Sequence, residues 1–184
     1  MHYYVVGVNG AGKTSVLQAI SARTGINSIH GTAALMEYMG IPGDYQALRA
    51  MDQDKVLEQW AIVAKQIVAD YGDKPLLLDT HIMNLTNGNI MRRDGEWIAS
   101  YDALVLVKAD PSTVLARVQK ADKDRALFPP DISDSQKLNM LDAYQQQTES
   151  LFYSLSKHYN LPTLTIQNDG DLAAAADAFI NSPL

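Results

Sequence analysis

The run Gly7-Val8-Asn9-Gly10-Ala11-Gly12-Lys13-Thr14-Ser15 limits what this chain can fold into more than any other stretch. It fits G-x-x-x-x-G-K-[ST] at every fixed position and follows the short apolar run Tyr3-Tyr4-Val5-Val6. Such a loop works only when a buried strand feeds it and a helix leaves it. Its glycines let the backbone curl so that several N–H groups converge, and the helix that follows adds the positive end of its dipole. The product is a cradle for phosphate oxygens. In it, Lys13 reaches the β- and γ-phosphates of a nucleoside triphosphate, and the Thr14 hydroxyl ligates Mg²⁺.

The rest of the chain supplies the matching scaffold. Tyr3 to Val8, Pro75 to Asp79 and Ala103 to Val107 read as short buried strands, and Ile26 to Ile29 and Thr163 to Ile166 as two further strands. Between them run helical patterns. Lys13 to Arg23 turns Val16, Leu17 and Ile20 to one face and ends at Gly25. Residues 32–40 place Leu35, Met36 and Met39 inward. Asp52 to Tyr71 repeats Leu57, Trp60, Ala64, Ile67, Val68 and Tyr71 at helical spacing. Pro111 to Gln119 carries a proline in its first turn. Residues 134–158 align Leu138, Leu141, Tyr144, Leu151 and Leu155, and Leu172 to Ile180 forms a last helix. Asn87-Gly88 predicts a tight hairpin turn. Strands alternating with helices predict an α/β fold, a parallel sheet covered on both faces. With no repeat or linker, residues 1–184 read as a single domain with a lid over about 118–133.

Bulk properties exclude several classes. The 184 residues are 47% apolar and 20% charged, as in a globular chain. The net charge of −6 argues against a long nucleic-acid partner, which needs a basic face. There is no apolar run long enough to span a membrane and no secretory pattern at the N-terminus. With no cysteine either, the expected compartment is the cytoplasm.

Phosphate binding alone does not name a reaction. A GTPase would carry Asn-Lys-x-Asp late in the sheet; here Val107-Lys108-Ala109-Asp110 lacks the Asn. A motor ATPase needs more chain. A kinase needs a carboxylate near the metal, an acceptor site and basic residues that close over the phosphates. Asp79, at the end of Leu76-Leu77-Leu78, sits where ligands bind in open α/β sheets. There it can hold Mg²⁺ or orient the acceptor. His81 is a further candidate for contact with the acceptor. Arg117, Lys120, Lys123 and Arg125 form a basic segment that can close over phosphates.

The order of these pieces resembles the archaeal-type adenylate kinases, a compact branch of the P-loop nucleoside monophosphate kinases. The resemblance rests on the N-terminal glycine loop, on Asp79-Thr80-His81 and on Lys108-Ala109-Asp110-Pro111 before a basic segment and a long helix, and it spans nearly the whole chain. It implies a three-layer P-loop NTPase fold with a five-stranded parallel sheet, a small lid and an acceptor-binding helical region. It also implies ATP and Mg²⁺, with AMP the favoured acceptor, and it admits a homo-oligomer. Carried over, Gly7 to Ser15 bind ATP, and Asp79 and His81 lie near metal and acceptor. Arg117 stacks on the adenine of ATP. Arg125, with Lys120 and Lys123, clamps the transferring group, and Arg49 binds the acceptor phosphate. The chain departs from the family in a lid with fewer arginines, in Gly31-Thr32 where the family tends to place an Asp after the Gly, and in a shortened stretch from His81 to Tyr101. These departures keep open a kinase acting on another nucleotide or small metabolite, or an ATP-binding regulator with little transfer activity.

Overall fold

A computed structural model describes residues 1–121 and 126–184. Its elements are β1 (His2–Val6), α1 (Lys13–Thr24), β2 (Asn27–His30), α2 (Gly31–Tyr38), α3 (Tyr45–Ala50), α4 (Gln53–Tyr71), β3 (Leu76–Asp79), β4 (Met83–Thr86), β5 (Asn89–Arg92), β6 (Ala103–Lys108), α5 (Pro111–Lys120), α6 (Asp134–Tyr159), β7 (Thr163–Gln167) and α7 (Leu172–Ile180), with a 3₁₀ turn over Glu96–Ser100. Five strands form one sheet in the order β2-β3-β1-β6-β7. Every pairing in it is parallel. This is the α/β architecture expected from the sequence.

The three central strands β3, β1 and β6 are largely apolar because both faces of the sheet are covered there, while the edge strands β2 and β7 carry polar, more exposed residues. Tyr4, Val5, Val6, Leu76, Leu77 and Leu78 are all fully buried. Helices pack in neighbouring pairs, α1 with α7, α2 with α4 and α5 with α6. At the centre, the indole N–H groups of Trp60 and Trp97 both donate to the Tyr4 hydroxyl, at 3.4 and 3.0 Å. A buried tyrosine oxygen thus ties α4 and the 3₁₀ turn to β1.

Two helical faces differ from the sequence reading. In α4 the buried side chains are Val56, Trp60, Val63, Ala64 and Ile67, while Leu57, Val68 and Tyr71 only flank the core. In α6 the buried set is Leu141, Tyr144, Thr148, Phe152 and Leu155, with Leu138 and Leu151 at its margin. Thr148 is buried without cost because its hydroxyl donates to the Tyr144 carbonyl one turn back.

The parallel sheet sends all its strand ends to one edge. There the loop after β1 turns into α1 and meets the segment after β3 and the loop after β7. The strands β4 and β5 form a separate antiparallel hairpin above this edge. Its turn is Asn87-Gly88, both at positive φ (47° and 78°), the backbone that a two-residue hairpin turn needs.

Candidate active site

The glycine loop is shaped by close packing. A Cβ on Gly7 would lie 2.3 Å from the Val107 carbonyl oxygen of β6. Gly12 has φ +85°, and a Cβ there would lie 2.4 Å from the Asn168 amide nitrogen. The helix α1 that follows has no side-chain cap and no acidic residue in its first turn. Its first N–H groups lack intrahelical partners and are left for an anion.

Lys13 is buried at the foot of this loop. Its ammonium donates to the Gly7 carbonyl at 2.9 Å and lies 4.0 Å from the Asp79 carboxylate. The Thr14 hydroxyl donates to the other Asp79 oxygen at 2.6 Å. His81 places Nδ1 3.0 Å from the Gly7 carbonyl. The Lys13 ammonium lies 3.4 Å from the same nitrogen, so Nδ1 stands between a group that only accepts and one that only donates. Thr14 and Asp79 together offer hard oxygen donors beside the phosphate cradle, a donor set that suits Mg²⁺ completed by substrate oxygens and water.

Two cavities open side by side at this edge. The larger, about 880 Å³, is lined by Asn9, Gly10, Gly12 to Ser15, Asp79 and Arg117, among others. The smaller, about 430 Å³, is lined by α2, α3, α4, the segment after β3 and the hairpin, with Leu35, Val56, Trp60 and Met91 as apolar wall. Thr32, Arg49, His81, Asn84 and Thr86 line both. A group bound in one cavity therefore faces a group bound in the other.

The residues singled out in the sequence fall as follows. Gly10, Lys13, Thr14, Asp79 and Arg117 line the larger cavity. Arg117 donates to the Ala11 carbonyl at 3.2 Å, which places the last turn of α5 on the glycine loop. Asp79 belongs to the larger cavity and does not line the smaller one. Arg49 and His81 stand at the junction. Lys120 is exposed in the last turn of α5 and lines neither cavity. Lys123 and Arg125 lie outside the described residues.

Three site residues escaped the sequence reading. Asn168 is buried, donates to the Ala11 carbonyl at 2.8 Å and forms the wall behind Gly12. Its position just past a strand of the parallel sheet was the available signal. Tyr144, read only as core, sets its hydroxyl 2.8 Å from the Met83 carbonyl and 3.1 Å from Asn9 Oδ1, between hairpin and glycine loop. Burial raises its phenol above the usual range and keeps it a neutral donor. Arg93 lines the smaller cavity; nothing local marks it.

Comparison with known proteins agrees with this geometry. The sequence model described as an AAA domain matches residues 6–129. A protein named adenylate kinase from Thermoplasma acidophilum is 28% identical over 126 residues, 65% of this chain and 67% of its own length. Among solved structures, a shikimate kinase from Bacteroides thetaiotaomicron superposes with TM-score 0.68 at 12% identity, covering 97% of this chain and 96% of its own. A deoxyadenosine kinase from M. mycoides with bound dATP gives TM-score 0.61 at 12% identity, covering 98% of each chain. The fold is that of the P-loop kinases. The adenylate kinase relative and the family match uphold the likeness to P-loop nucleoside monophosphate kinases.

Proposed function

The chain belongs to the AAA domain family, and on that premise we propose that it is an ATP-dependent nucleoside monophosphate kinase with AMP as the favoured acceptor. The observation that carries this reading is the chemistry of the smaller cavity. It is lined by two arginines, Arg49 and Arg93, and by no carboxylate among the described residues. In a chain of net charge −6, that is a local preference for an anion. The nearby carboxylate, Asp79, is engaged by Thr14 and Lys13. An acceptor that is already anionic needs no base, whereas a neutral hydroxyl needs one.

In this reading the larger cavity takes the triphosphate. Backbone N–H groups of the glycine loop and the start of α1 hold its phosphates. Lys13 faces the oxygens on which charge gathers, kept in place by Gly7 and Asp79. Thr14 and Asp79 would hold Mg²⁺, which when bound neutralises charge on the β- and γ-oxygens. The acceptor lies with its ring against the apolar wall near Trp60 and its phosphate towards Arg49 at the junction. A phosphate oxygen of the acceptor attacks the γ-phosphorus. The bond to the β–γ bridging oxygen breaks, and that oxygen leaves on ADP. The protein contributes position and electrostatic stabilisation, with no covalent step of its own.

The test is ADP formation from Mg-ATP with each nucleoside monophosphate in turn, beside ATP alone and a Lys13→Ala control. Lys13-dependent turnover with AMP supports the full proposal. Turnover with another monophosphate retains the mechanism and replaces the acceptor. ATP binding without turnover with any of them overturns it.

A further inference from the structure

Tyr144 is fully buried on α6 and lines neither cavity. Its hydroxyl nevertheless reaches towards both. On one side it meets Oδ1 of Asn9, a wall residue of the larger cavity, at 3.1 Å. On the other it donates to the Met83 carbonyl at 2.8 Å. Met83 precedes Asn84, which lines both cavities and pairs across the hairpin with Met91. Met91 lines the smaller cavity and not the larger.

The hairpin needs such a hold. Its two strands are not hydrogen-bonded into the five-stranded sheet, so the sheet's backbone ladder does not set their height above the glycine loop. The turn is held at the far end, where the Asn87 and Gly88 N–H groups donate to the Ala126 and Leu127 carbonyls at 2.7 and 2.9 Å. Tyr144 holds the near end, and it does so beside the glycine loop.

A tyrosine kept only for packing would not need this arrangement. Phenylalanine fills nearly the same volume, and one carbonyl satisfies a buried hydroxyl. Here the hydroxyl has one hydrogen and faces two oxygens. The Met83 carbonyl is the nearer and can only accept, so the hydrogen goes there. The Asn9 amide has two ends. With its NH₂ turned to the phenol, a chain runs from Asn9 through Tyr144 to Met83 and every group in it is satisfied. With its oxygen there, the contact to Asn9 gains nothing while the hydrogen stays on Met83. A ligand in the larger cavity that takes one end of this amide therefore decides how firmly Tyr144 and Met83 are held.

We infer that Tyr144 is a positioning residue that couples the two cavities, carrying the state of Asn9 in the larger one to Met83 and so to the Asn84–Met91 pair at the wall of the smaller one. This rests on the reading above for a nucleotide as the occupant of the larger cavity. Coupling between sites needs an element with two arrangements that a ligand can bias. The two-ended Asn9 amide is that element, and the Tyr144 hydroxyl is its link to the hairpin.

The experiment follows the methyl signal of Met91 in protein labelled with ¹³C-methyl methionine, assigned by its loss in Met91→Leu. A non-hydrolysable ATP analogue with Mg²⁺ is titrated into the wild-type protein, Tyr144→Phe, Asn9→Ala and the double variant, each beside a thermal melt. In the wild type the Met91 signal should shift in step with binding, although Met91 does not line the larger cavity. At saturation the shift should shrink by about half or more in either single variant, and no further in the double one, since both break the same chain. A merely structural tyrosine would lower the melting temperature and leave the saturated shift intact. A Met91 signal that does not move in the wild type, or that moves as far in Tyr144→Phe, overturns the inference. If Tyr144→Phe does not fold, Asn9→Ala, at the open end of the same chain, decides in its place. If the analogue does not bind, the nucleotide reading and the inference fall together. A Tyr144-dependent shift without turnover of any monophosphate leaves the inference standing and removes the kinase reading. Turnover with a shift indifferent to Tyr144 does the reverse.

Discussion

The Thr14 hydroxyl donates to the Asp79 carboxylate at 2.6 Å, across the gap between the first turn of α1 and the end of β3. The contact binds the phosphate-loop helix to the central sheet. It also shares one carboxylate between a hydroxyl and the Lys13 ammonium.

Replacing Asp79 with Asn keeps the size and an oxygen for Thr14 but removes the charge opposite Lys13. Turnover should fall by about a hundredfold or more, the usual scale for losing one fixed electrostatic element. Steady-state kinetics across an ATP series, beside a thermal melt, separate this loss from unfolding. Near-normal kcat would remove Asp79 from the chemistry.

Gly12→Ala tests the wall behind the loop. The added methyl meets the Asn168 amide nitrogen at 2.4 Å and sits on a backbone of φ +85°. ATP affinity is expected to drop at least tenfold by calorimetry, roughly the effect of 1.4 kcal/mol. The double change Gly12→Ala with Asn168→Ala should recover part of it, since the clash goes and the backbone strain stays. No recovery would mean that strain alone sets the cost.

Tyr4→Phe should be one of the more damaging single-atom deletions in the core. It strands the indole N–H groups of both Trp60 and Trp97, which share the Tyr4 oxygen. At about 1–3 kcal/mol for each unsatisfied buried donor, the loss is about 2–6 kcal/mol. Urea unfolding reads it directly, and a change below about 1 kcal/mol would show that the indoles find other partners.

How much of this was legible beforehand differs between the two cavities. The larger cavity is built round a stretch contiguous in sequence. Gly7 to Ser15 is one loop, so the motif and its flanking strand and helix reveal it. The smaller cavity is assembled from α3, α4, the segment after β3 and the hairpin, and its parts look ordinary in isolation. Helix α3 has six residues, too few for a periodic pattern, and is started by Asp44 accepting from the Ala47 N–H. The hairpin turn was visible as Asn87-Gly88, but four-residue strands containing Asn and Thr were not. Arg92-Arg93-Asp94 reads as a solvated charge cluster; only the pleat sends one arginine out and the other in. In α4 the apolar arc is broad enough to hold both Leu57 and Val56, and the packing of the helix against its neighbours, not spacing, selects Val56.

Acid should weaken the junction beside β7. The Asp169 carboxylate accepts the Asp110 backbone N–H at 2.7 Å and the Gln167 side-chain amide at 2.7 Å. These bonds, the backbone one first, hold it below the usual carboxylate range. A lowered folded-state value means stability that is present above the unfolded value, about 3.9, and lost as pH falls through the folded one. Asp169→Asn should flatten the acid limb of stability below about pH 4. Urea midpoints measured from pH 6 downwards test this, and parallel curves for the two proteins would count against it.

The two arginines of the smaller cavity sit inside a molecule of net charge −6, and this shapes how a nucleotide arrives. At a distance an incoming phosphate meets repulsion, and it feels attraction only within the mouth. Ions screen beyond about 8 Å at physiological salt, so they remove the outer barrier before they weaken the inner grip. Capture should then quicken as salt rises to physiological strength, while the time a nucleotide stays shortens only once the inner grip is screened.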